Sequence, residues 1–235
     1  IVIMAETTEM AIKSMDSQLR HVLSDTPEAD RGKLISVCLK SIPDRMNFVE
    51  FVTFVSAISK MGFMDINNIS NDQIDFSNLN GPFKYYLHSA GCGFTIDTDG
   101  RITELRKITY GITYGDYDLP AIVVFLERLT CLTLYDCRSL PVELSNLPHL
   151  DELNLNYVDL LEIIPIQMKL ENLKILRVES SASLPASSRL LKWMTSQLPS
   201  LEILEFTGMR TKNNEISLII DSLRTNNVCL HDSLE

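Results

Sequence analysis

The chain has 235 residues, 45% of them apolar and 22% charged, with a net charge of −10. That length allows one large or two small domains, and that balance is neither membrane-like nor disordered. The acidic charge, with no cluster of Lys and Arg, argues against nucleic acid as a partner.

Residues 1 to 64 read as a helical domain. Ile1 to Met4 is too short an apolar run for a signal peptide, and Glu6 follows at once. Met10, Ile12, Met15, Leu19, Val22 and Leu23 recur at three- and four-residue steps, the pattern of an amphipathic helix. Thr26 before Pro27 reads as an N-cap with proline at the first helical position. Lys33 to Ser41 is a second helical stretch, ended by Pro43. Phe48, Phe51, Val52, Phe54, Val55 and Ile58 form the apolar face of a third, closed by Gly62. Met46 to Met64 is the most apolar window, but Glu50 and Lys60 interrupt it, so no membrane span is expected.

Residues 65 to 100 read as a connector and N-terminal cap, with a turn at Asn80-Gly81-Pro82. Phe94 and Ile96 on one side of Asp97-Thr98-Asp99-Gly100, with Ile102 and Leu105 on the other, predict a β-hairpin.

Residues 101 to 235 repeat themselves. Leu129, Leu132, Leu134, Cys137, Leu140 and Pro141 match Leu173, Leu176, Val178, Ser181, Leu184 and Pro185. Leu150, Leu153 and Leu155 open a copy between them, closed by Ile164 and Pro165. Leu201, Leu204 and Phe206 open another. These segments resemble the leucine-rich repeat, L-x-x-L-x-L-x-x-(N/C)-x-L. Gly100-Arg101-Ile102-Thr103-Glu104-Leu105 is similar to the "DGRVTxLxL" opening of the plant- and alga-type members. Lys107 departs from that pattern, which wants an apolar residue there. Openings at Ile102, Leu129, Leu150, Leu173 and Leu201 lie 27, 21, 23 and 28 residues apart, within the roughly 20–29 residues of that family. The resemblance implies an α/β fold: a leucine-rich repeat solenoid with a short parallel sheet on its concave face, preceded by the small helical domain. Arg189 to Gln197 reads as a short helix on the convex side. Asn214 would start a terminal cap helix from Glu215 to Leu223. Val158 falls where the repeat wants a turn-bonding residue, so local distortion is expected there.

On this reading the residues between the leucines face outward and make a protein-binding surface. They are Thr133, Tyr135, Asp136, Glu152, Asn154, Asn156, Tyr157, Ile175, Arg177, Glu179, Ile203 and Glu205, with Cys131 in the same row as Glu152. Tyr and Arg are favoured at interface hot spots.

Other motifs lead nowhere. Asp97-x-Asp99-Gly100 imitates part of a calcium loop but lacks its first carboxylate and its closing Glu. Met46 to Phe51 is similar to the end of an EF-hand loop, with Glu50 at the last ligand position and no ligands before it. Gly91-Cys92-Gly93 lacks the Lys of a phosphate loop. Cys92 and His88 have no third group that would make a nucleophile and base. Five cysteines, an odd count with no CxxC pair, read as reduced thiols in an intracellular protein. The expectation is a non-catalytic scaffold or adaptor that binds protein, with no cofactor and no metal. Two other readings stay open. One is a permanent subunit of a large assembly. The other is a substrate receptor of a ubiquitin ligase, since Ile42-Pro43-Asp44 before an apolar helix resembles the start of an F-box.

Overall fold

A computed structural model describes residues 22–24, 26–41, 47–61, 76–78, 84–87, 92–107, 117–157, 164–165, 167–179, 193–194, 196–207 and 229–233. The fold is mixed α/β. Helix α1 spans Glu28–Ser41 and carries Glu28 and Asp30 in its first turn, where they complement the helix dipole. It starts earlier than the periodicity predicts. Thr26 does not cap it: its hydroxyl donates to Val22 O at 3.2 Å, and Pro27 O accepts the first helical amide bonds instead.

Helix α2, Phe48–Lys60, is capped by Asn47, whose Oδ1 accepts from the amides of Val49 (3.0 Å) and Glu50 (3.2 Å). Every residue from Glu50 to Ile58 is buried, so this helix is enclosed on all sides. It packs on the 3-10 turn Ala121–Phe125, and Phe54 meets Phe94 with ring centroids 4.8 Å apart. Glu50 is wholly buried: its carboxylate accepts from Arg101 Nη1 (3.2 Å) and from the Ile102 amide (2.9 Å). A residue that mimics a calcium ligand in sequence is thus the bolt between α2 and the sheet. Asn47 N donates to Gly100 O at 2.9 Å and completes that join. Asn47→Ala removes the cap, with an expected loss of roughly 1 kcal/mol (range 0.5–2) in denaturant unfolding.

Among the described residues nine strands form one sheet. In chain order they are β1 (Phe76–Asn78), β2 (Lys84–Leu87), β3 (Cys92–Ile96), β4 (Ile102–Lys107), β6 (Cys131–Tyr135), β8 (Glu152–Asn156), β9 (Ile175–Glu179), β10 (Ile203–Thr207) and β11 (Cys229–Ser233). Two more, β5 (Tyr117–Asp118) and β7 (Cys137–Ser139), pair separately. The first four strands of the large sheet are antiparallel neighbours. The predicted hairpin is β3–β4. Asp97 Oδ1 accepts from the amides of Asp99 and Arg101, both at 2.9 Å, and Gly100 takes the left-handed conformation (φ 75°) that the tight turn demands.

From β4 onward six strands lie parallel, each beside its successor in sequence, and the sheet does not close into a barrel. Register follows the leucine spacing: Leu105, Leu132, Leu153, Leu176 and Leu204 sit side by side, as do Leu134, Leu155, Val178 and Phe206. All the leucines among these are buried. The connections repeat too. Pro120 and Pro141 both precede 3-10 turns, Ala121–Phe125 and Val142–Asn146, with nearly the same backbone angles (φ −72° and −71°), which the proline ring favours. Pro165 O likewise accepts from the Met168 amide at 2.9 Å. Trp193, buried, donates its indole N–H to Met168 O at 2.8 Å and anchors the longer connection before β10. One hydrophobic core runs from Val22 and α2 through the leucine rows to Leu204. The region around Ile42 to Asp44, Gly62, the Asn80 turn, Val158, most of Arg189 to Gln197, and the helix expected from Glu215 to Leu223 lie outside the described residues.

No described helix is long and apolar enough to cross a membrane.

Candidate functional site

Strands alternate their side chains between two faces. With the leucines committed to the core, the intervening residues stack into rows on the other face. One row is Glu104, Cys131, Glu152, Ile175 and Ile203. The next is Arg106, Thr133, Asn154, Arg177 and Glu205. The third is Tyr135, Asn156, Glu179 and Thr207. Ten of the twelve residues expected at the site occupy these rows. Asp136 and Tyr157 sit just beyond strand ends.

The rows are knitted by a polar network. Arg177 is its centre. Its guanidinium donates to Glu152, to Glu205 and, at 3.4 Å, to Asn154 Oδ1. Asn154 Nδ2 lies 2.8 Å from Glu152 Oε1, 3.0 Å from Thr133 Oγ1 and 3.8 Å from Cys131 Sγ. The pairs are partly exposed, so they fix side-chain geometry more than they stabilise the fold. The network also corrects one expectation. Thr133 does not face solvent: it is only 8% exposed and Cys131 only 6%, because the Asn154 amide lies against both. Burial, with Glu152 close by, pushes the Cys131 thiol up to about 11, so it stays protonated and inert at neutral pH.

Glu104 and Arg106 belong to the same face and were not singled out in the sequence. They form an ion pair at 3.2 Å, and Thr95 Oγ1 donates to Glu104 at 3.2 Å. The spacing of Ile102 and Leu105, equal to that of Leu129 and Leu132, carries the signal that places them in register with Cys131 and Thr133.

At the C-terminal ends of β6 and β8 the chain turns through two left-handed residues, Asp136 (φ 52°) and Tyr157 (φ 57°). Their amides donate to Asn156 O (3.0 Å) and Glu179 O (2.6 Å), which extends the ladder by one step. The rings of Tyr135 and Tyr157 lie 6.2 Å apart. Tyr157 remains 49% exposed, and a hydrogen bond to Glu179 holds its phenol above the usual range.

A polar groove of about 510 Å³ runs along the opposite, N-terminal edge of these strands, lined in part by Arg128, His149, Asp151, Asn172 and Lys174. Lys174 is paired with Asp151 at 3.4 Å, and Asp97 also lines the groove, so its charges offset one another and select no class of ion.

Among the described residues no three His, Cys, Asp or Glu side chains gather as metal ligands. Cys38, Cys92, Cys131 and Cys137 are buried free thiols. The chain matches no protein-family model and no curated protein.

Proposed function

We propose that this chain is an irregular leucine-rich repeat protein of the plant- and alga-type, intracellular, and that it binds a protein partner on the polar sheet face without catalysis. The observation that carries the reading is the register. Ten of the twelve outward residues fall into unbroken rows across β6, β8, β9 and β10. On this reading the array is a solenoid, in which each repeat shares its buried apolar side with its neighbours. Helix α2, enclosed by core residues at the β4 end, serves as the cap that such an array needs.

The face suits recognition. Its central charges are already held in place by one another, so little side-chain freedom is lost on binding. Tyr135, Tyr157 and Arg177 supply the residue types that anchor interfaces. Buried, reduced thiols accord with an intracellular setting.

Affinity capture with the wild-type chain, repeated with Tyr135→Ala, Tyr157→Ala and Arg177→Ala combined, tests the reading. The expected result is at least a tenfold fall in recovery of the specific partner, since removing hot-spot residues costs about 2 kcal/mol or more each. Circular dichroism must show the triple variant folded. Undiminished recovery of the same partner by a folded variant would remove this face as the docking surface.

A further inference from the structure

The docking-face reading leaves the partner's chemistry open; building on it, we propose that the corner formed by Tyr135, Asp136, Tyr157 and Glu179 seats a lysine or arginine side chain from a basic segment of the partner protein.

Charge complementarity carries the inference. From β4 to β10 this face holds Glu104, Asp136, Glu152, Glu179 and Glu205 against Arg106 and Arg177, an excess of negative charge on a chain whose net charge is already −10. Both arginines are engaged at the centre and the β4 end, with Glu104, Glu152 and Glu205. The corner lies one row beyond Arg177, whose guanidinium is taken up by Glu152, Glu205 and Asn154. Among the described residues Glu179 forms no salt bridge. Its side chain accepts from the Tyr157 hydroxyl, a neutral donor.

The aromatic geometry agrees. A cation within about 6 Å of a tyrosine ring is attracted to its face. Two rings 6.2 Å apart, one of them half-exposed, offer such a face beside carboxylates. Cationic and aromatic attraction together define a basic protein segment rather than an acidic or apolar one.

The probe is a hexalysine peptide, with hexaglutamate as its opposite, titrated into the full chain by isothermal calorimetry at physiological salt. Hexalysine is expected to bind and hexaglutamate not. Tyr157→Ala and Glu179→Gln should each weaken hexalysine by about fivefold to tenfold. Glu143→Gln, which removes the same charge from the turn Val142–Asn146 off this face, should change it less than about twofold. Tyr157→Phe, which keeps the ring and the fold, should retain most of the affinity. Equal losses from Glu179→Gln and Glu143→Gln would reduce the effect to the general field of an acidic chain and overturn the proposal. Absence of hexalysine binding to the wild type would overturn it too. A partner that is captured, lost on Arg177→Ala and indifferent to Tyr157→Ala and Glu179→Gln would leave the docking face standing and sink this corner alone.

Discussion

Replacing Arg101 by alanine is expected to destabilise the fold by roughly 2–4 kcal/mol at pH 8 and by far less at pH 5. The reason lies in Glu50. Its side chain is completely buried, and burial raises its pKa, opposed by the Ile102 amide and by Arg101. The folded chain therefore binds more protons than the unfolded one above pH 4.5, the ordinary value for this group. The stability contributed here is complete below that pH and is lost as pH rises through the folded value. Arg101 limits that loss. Without it the carboxyl must either stay ionised and unpaired in the core or take up a proton, and protonation becomes steadily more costly as pH rises. Urea unfolding of Arg101→Ala and wild type at both pH values measures this. Adding Glu50→Gln to Arg101→Ala should flatten the pH dependence, because the titrating group is gone. A loss of the same size at pH 5 and pH 8 would show that the buried carboxylate is not what Arg101 serves.

Leu176→Ala is expected to cost roughly 2–5 kcal/mol. Leu176 is fully buried and stands in register between Leu153 and Leu204, both also at 0% exposure. Its neighbours are held by sheet hydrogen bonds on both sides and cannot collapse into the space the isopropyl group leaves, so the cavity term adds to the lost transfer energy. Leu39→Ala supplies the contrast. Leu39 is 62% exposed on α1, and its truncation should stay within about 0.5 kcal/mol of wild type. Denaturant midpoints for the two variants measure the difference. Similar small losses at both positions would mean that the leucine row is not a packed interior.

The periodic leucines made the sheet legible. Their three-residue and two-residue steps assign one face of each strand to the core, and β6, β8, β9 and β10 pair in the register those steps imply. The hairpin at Asp97 to Gly100 was legible for a different reason: aspartate and glycine meet local backbone needs that do not depend on distant contacts. Long-range partners were not legible. Glu50 reads as an acid misplaced in an apolar helix until Arg101 and Ile102 are brought to it across more than fifty residues. Strand alternation gives the side of the sheet but not its cover, which is why Thr133 and Cys131 turn out to lie beneath the Asn154 amide. The Tyr135–Tyr157 pair lies at left-handed backbone at Asp136 and Tyr157, a conformation that aspartate favours among non-glycine residues but that tyrosine does not announce.

Site-specific photocrosslinking tests the docking face most directly. A benzophenone side chain introduced at Asn156, in the middle of the third outward row, is expected to join the chain covalently to its partner. The same group at Glu143, on the turn away from the sheet, is expected not to. Adducts with that partner from Glu143 alone, or equally from both positions, would contradict recognition by the polar face.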